Sequence, residues 1–157
     1  MTKTDREIVQ HVDREFGSLI NSLKDLARSV PPSLLYHASP SLSIGESILR
    51  SAAAIERTCG GLTSNLWDDP FEWTLPETLS SSELIIDYLS EVDRSRELAF
   101  NAIVDDSVLT RCVSAPNGEQ QLVNLLLETL VEASDYRGRA VATIKILSGE
   151  GTPRFII

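Results

Sequence analysis

Apolar residues recur at three- and four-residue spacing through four stretches of the chain, the period of a helix that buries one face. The first stripe is Ile8, Val9, Val12, Phe16, Leu19, Ile20, Leu23, Leu26 and Ala27, preceded by the capping-box pattern Thr4-Asp5-Arg6-Glu7 and closed by Pro31-Pro32. It predicts a helix over residues 5–29. A second box, Ser43-Ile44-Gly45-Glu46, leads into Ile48, Ala52, Ile55 and Cys59, and Gly60-Gly61 reads as the stop of a helix over 44–59. The third box, Ser80-Ser81-Ser82-Glu83, opens the stripe Leu84, Ile85, Tyr88, Leu89, Val92, Leu98 and Ala99 and predicts a helix over 82–103. The fourth stripe, Leu122, Leu126, Leu130, Ala133, Ala140, Ile144 and Leu147, predicts the longest helix, 119–148, before Gly149 and Pro153.

Between these stripes the chain is punctuated. The stretch Leu62 to Ser80 carries Pro70 and Pro76 but also Trp67, Phe71 and Trp73, too aromatic for a plain linker. It reads as a loop folded against the helices, because two exposed indoles would leave much apolar area in water, at about 25 cal/mol per Å². Residues 105–117 alternate through Val108, Thr110 and Cys112 and admit either a short strand or a loop across the bundle end; they are assigned as loop. The expected fold is all-α, a four-helix bundle whose unequal connections leave room for a crossover.

A chain of 157 residues with 42% hydrophobic and 24% charged residues fits a single domain over 1–157 with a core of its own. Its formal net charge of −9 opposes phosphate, so nucleic acid is not an expected partner. No apolar run approaches the roughly 18 residues of a membrane span, and the first residues lack the apolar core of a signal peptide. The expectation is a cytoplasmic protein without membrane contact. Cys59 and Cys112 are the only cysteines and form no CxxC motif.

Candidate chemistry is sparse. His11 and His37 are the only histidines, so a three-histidine metal site is impossible, and neither has a second ligand one helical turn away. His11 lies beside the first stripe as a surface or core-edge residue; His37, in the loop before the second helix, is either an ordinary loop residue or a pocket-lining one. No GxSxG, HExxH, P-loop or GxGxxG pattern occurs. On the fourth helix Glu128, Glu132, Asp135, Tyr136, Arg139 and Thr143 form one polar strip beside the apolar arc. Such a strip either lines a pocket or is a solvated face laced by pairs such as Asp135 with Arg139.

The segment Leu35–Glu46, ending in Leu42-Ser43-Ile44-Gly45-Glu46, resembles the "W-S-I-G-E" entry to the second helix of the DinB/YfiT-like bundle proteins. Asp135-Tyr136-Arg137-Gly138-Arg139, followed by Gly149-Glu150-Gly151-Thr152-Pro153, resembles their "H-H-R-G-Q…G-x-x-P" ending. The resemblance spans nearly the whole chain in helix order and length. It implies a left-handed four-helix bundle, often a homodimer, with a pocket at one end where many members hold a divalent metal on three histidines and carry out thiol S-transfer or maleylpyruvate isomerisation. Those ligand positions correspond to Arg50, Glu132 and Tyr136, so all three are replaced, as are the tryptophan by Leu42 and the glutamine by Arg139.

The expectation is therefore a metal-free protein, without a cofactor, whose small-molecule pocket between helices is lined by Arg50, Glu132, Tyr136, Asp135 and His37. Arg50 stands beside Ala53 and Ala54, away from the apolar stripe, and faces either a pocket lined by small residues or water. In the pocket it would replace the metal charge and pair with Glu132 or Asp135. The protein is then a divergent enzyme of small-metabolite or thiol chemistry, or a non-catalytic homodimeric binding or interaction protein. An open cavity of several hundred Å³ favours the ligand; a filled one favours the structural role.

Overall fold

The computed structural model describes residues 5–39, 42–70 and 76–149. Within them the chain forms α1 (Glu7–Ser29), α2 (Ile44–Ser64), α3 (Ser82–Asn101), β1 (Cys112–Ala115), β2 (Gly118–Gln121) and α4 (Leu122–Leu147), with a 3-10 turn at Asp106–Thr110 before β1. The protein is a helical bundle with one two-stranded appendage. Its core joins Phe16, Ile20 and Leu23 of α1, Ile48, Leu49 and Ile55 of α2, Ile85 and Leu89 of α3, and Leu126 of α4, all fully buried. Each such side chain contributes about 1.5–3 kcal/mol of transfer free energy. Phe16 and Phe100 meet in a tilted pair with ring centres 5.4 Å apart.

The helix boundaries depart from the periodic reading where tertiary contacts intervene. Thr4 lies outside the described residues. Helix α1 begins at Glu7 without a cap from its own N-terminal neighbour, Arg6. Its free amides are taken by Asp106, whose carboxylate accepts from Ile8 N at 3.1 Å and Val9 N at 2.9 Å. Arg6 in turn donates to the carbonyls of Phe100 and Ile103 at the end of α3, at 2.9 and 3.1 Å. The turn after α3 thus satisfies the free amides of α1, and Arg6 adds a second donor at the C-terminal end of α3.

Helix α2 runs one turn past the expected stop and ends on Asn65 in the left-handed region, at φ 55°. Gly60 and Gly61 lie inside the helix. Gly61 is bare because the Trp67 indole packs directly on it: a Cβ there would collide with the ring. Trp67 is accordingly half-buried, and its Nε1 donates to Asn65 Oδ1 at 2.9 Å. Trp73 falls outside the described residues. Gly45 repeats the device under the Tyr36 ring.

The third helix is capped by Ser81, one residue after the expected Ser80, and its Oγ accepts from Leu84 N at 3.3 Å. Two members of its stripe, Leu84 and Leu98, are exposed. The segment assigned as loop contains β1, and α4 starts at Leu122 instead of residue 119 because Gly118–Gln121 pair antiparallel with Cys112–Ala115. Pro116 and Asn117 make the turn, and Gly118 follows at φ 113°, which an L side chain rarely adopts.

Helix α2 packs most extensively against α4, while α3 packs against both α1 and α2. The α2–α4 seam is made of small polar residues. Ser51 Oγ donates to the Ala133 carbonyl at 2.6 Å, and the hydroxyls of Thr58 and Thr129 meet at 2.6 Å. Thr129 spends its proton on Leu125 O at 2.8 Å, so Thr58 is the donor of that pair. These bonds set α2 and α4 antiparallel. Tyr36, resting on Gly45 and donating to Leu79 O, brings the starts of α2 and α3 to the same end of the bundle. No helix among the described residues is long and apolar enough to cross a membrane.

Candidate functional site

The antiparallel seam brings Arg50, Ala53, Ala54 and Arg57 of α2 opposite Glu132 and Tyr136 of α4. These α2 residues fall at i, i+3, i+4 and i+7, one face of the helix, and the two alanines leave the gap that the longer side chains border. Arg50, Glu132 and Tyr136 therefore line one recess, closed on another side by Asp69. The recess is small, about 30 Å³, room for a water or two. Against the several hundred Å³ that a ligand cavity needs, it is filled.

The charge pairing differs from expectation. Glu132 pairs with Arg57, at 3.5 Å, one heptad further along α2 than Arg50. Both side chains are about two-fifths exposed, 41% and 45%, so the pair is wet. Asp135 pairs with Arg139 of its own helix at 3.0 Å and faces outward, as a solvated i, i+4 pair does. The Arg139 guanidinium also lies 5.2 Å from the centre of the Tyr136 ring. Asp135 and His37 do not line the recess. His37 is exposed in the loop before α2, with Nδ1 2.8 Å from the Ala38 carbonyl oxygen.

Arg57 was not among the residues singled out from the sequence; its place seven residues after Arg50 was the signal available. Beyond the Arg57–Glu132 pair a second pocket of about 170 Å³ opens between α2, α4 and the hairpin. Trp67 forms one wall, Asn117 and Gln120 offer amides, and Glu128 adds a carboxylate. Polar groups from four segments thus converge on one space, smaller than the several hundred Å³ of a full ligand cavity.

The metal that the resemblance implies does not fit the residues at its positions. A guanidinium offers no lone pair, so Arg50 cannot ligate; Glu132 is engaged by Arg57, and Tyr136 stacks beneath Arg139. Among the described residues no three His, Cys, Asp or Glu side chains converge as a metal site. No protein-family model, curated protein or solved structure matches the chain.

Proposed function

We propose that this chain is a metal-free, DinB-like bundle protein that binds a small polar organic molecule between α2 and α4, beside the Arg57–Glu132 pair. The observation that carries the reading is the 170 Å³ pocket, which adjoins the recess of Arg50, Glu132 and Tyr136 and gathers polar groups of both signs with an indole wall. Supporting the family reading, the entry segment around Ser43-Ile44-Gly45-Glu46 forms a capped helix start, with Ser43 Oγ accepting from Glu46 N at 3.1 Å. A crossover between α2 and α3 belongs to the same reading, supported by the common end at which Tyr36 holds their starts.

The ligand class that follows is a small metabolite or thiol bearing both an anionic and a hydrogen-bonding end, for Arg57 and for Asn117 or Gln120. Titration with glutathione and with maleate, read by amide and indole NMR signals, tests it. Saturable shifts confined to Trp67, Arg57, Gln120 and Glu132 are expected; no shift with either probe, or stoichiometric zinc or nickel in the purified protein, overturns it.

The alternative, a non-catalytic homodimer, rests on a different feature. Leu127 and Val131, one turn apart on the outer side of α4, are 49% and 70% exposed and form a small apolar patch. A dimeric mass in light scattering that Val131→Lys converts to a monomeric one supports it.

A further inference from the structure

A larger cleft than either pocket described above lies between α2 and α3, about 540 Å³, on a face of α2 different from the one that meets α4. Its α2 side is Glu56, Gly60 and Thr63, and its α3 side is Tyr88, Glu91, Ser95 and Leu98; these are single helix faces by their three- and four-residue spacing. The loop after α2 completes it with Leu66 and Asp68. Among the described residues three carboxylates border the cleft and no Lys, Arg or His does.

The floor of the cleft is polar and unsatisfied. Tyr88 is only 8% exposed, yet its hydroxyl has no hydrogen-bond partner, and neither has the buried Oε2 of Glu56. The Tyr88 hydroxyl lies close enough to Glu56 to favour its charged form as a donor does, so these two oxygens lean on each other without a bond of ordinary length and angle. Orphaned buried oxygens on this scale are rare in folded proteins and ask for a partner. At the mouth, Leu66 and Leu98 are 63% and 66% exposed, the opposite of what the stripe of α3 requires of Leu98.

We propose that this cleft binds an organic cation: an ammonium group held between Glu56 and the Tyr88 ring and hydroxyl, its hydrocarbon body lying on Leu66 and Leu98. The ammonium donates to the Glu56 carboxylate and to the phenol oxygen of Tyr88, whose own proton is left for Glu56, and a phenol ring face attracts a cation. Glu91 and Asp68 add attraction from the rim, and the overall charge of −9 draws cations toward the surface. A metal ion is the poorer occupant, because no three of these acids converge on one point. The two exposed leucines have no use for an ion and a clear one for an alkyl chain.

The test is calorimetric titration of the intact protein with n-hexylamine at pH 8, where the amine is still protonated, beside hexanol and hexanoate. Saturable binding of hexylamine, at least about tenfold weaker binding of hexanol and none of hexanoate are expected. Glu56→Gln is expected to weaken the amine by about 10- to 100-fold, the range of a hydrogen bond to a charged group. Leu98→Lys, at an exposed position that folding does not need, weakens it comparably. Arg57→Ala leaves it unchanged, which separates this cleft from the α2–α4 pocket. Equal affinity for hexanol, indifference to both Glu56→Gln and Leu98→Lys, or displacement of the amine by low-millimolar calcium would overturn the proposal.

Discussion

The Asp106 carboxylate accepts the amide of Val9 across 97 residues of sequence, capping a helix that its own preceding residue leaves uncapped. Because the same carboxylate also takes the amide of Ile8, both of its oxygens are engaged at a helix N-terminus, where negative charge is favoured. Asp106→Ala is expected to destabilise the fold by about 1–2 kcal/mol, and Asp106→Asn to lose part of that, since asparagine keeps one acceptor for the amides of Ile8 and Val9 but gives up the second acceptor and the charge. Urea denaturation of the three proteins checks the order; an unchanged midpoint for alanine would show that water replaces the carboxylate without loss.

The Arg57–Glu132 pair is open to solvent on both sides, so its removal has a small effect on stability. Glu132→Gln is expected to shift stability by less than about 1 kcal/mol. A loss of 3 kcal/mol or more would instead mark a buried, uncompensated arginine.

Two helical glycines are expected to respond in opposite directions. Gly61→Ala drives a methyl into the Trp67 ring and destabilises by about 1–3 kcal/mol, with altered tryptophan emission as the indole is displaced. Gly138, inside α4, has open space where a Cβ would stand, so Gly138→Ala stabilises by about 0.5–1 kcal/mol through helix propensity alone. Thermal melts of the two variants beside the parent protein decide the matter.

Burial raises the Glu56 carboxyl above its ordinary value of 4.5, opposed by the Tyr88 hydroxyl and reinforced by Glu91 across the cleft. The folded chain therefore keeps this proton to a higher pH than the unfolded chain, and binds more protons between the two values. The contribution of Glu56 to stability falls as pH rises from about 4.5 through the raised value. Glu56→Gln, always neutral, is expected to gain on the parent protein across that window and to match it below. Parallel stability curves from pH 4 to 8 would contradict the assignment.

The two thiols differ in the same physical terms. Burial pushes Cys59 up to about 12, with Arg96 partly opposing and Glu56 and Asp13 adding, whereas Cys112 is exposed on β1. One thiol is expected to react promptly with a disulfide reagent in the native protein and two after denaturation. Prompt reaction of both would mean that the core around Cys59 opens readily.

The four helices were legible because amphipathic stripes are local: Phe16, Ile48, Leu89 and Leu126 announce their burial through neighbours three and four residues away. The hairpin was obscured because its pairing of Val113 with Gln120 depends on a turn and carries little apolar alternation of its own. Gly60-Gly61 reads as a stop in any local scheme, since only the return of Trp67 onto Gly61 reveals a packing role. That Arg50, Glu132 and Tyr136 line one recess leaves no local signature in the sequence, and the pairing of Glu132 with Arg57 depends on the axial register of α2 against α4. The bonds of Ser51 to Ala133 and Thr58 to Thr129 set that register, and hydroxyl-to-backbone contacts leave no periodic trace. The cleft at Tyr88 was hidden for the opposite reason: Tyr88 and Leu98 look like ordinary members of a core stripe.

The caps at the α1–α3 end tie early and late parts of the chain together, which has a consequence for biosynthesis. At about 5–20 residues per second, translation reaches Asp106 some 5–20 s after Val9. Throughout that interval α1 exists with bare amides at its first turn, its Phe16 lacking the Phe100 ring and its Asp13 lacking Arg96. A nascent α1 is thus an apolar stripe without its partners, a segment for chaperones to shield until α3 emerges from the ribosome and the last cap closes.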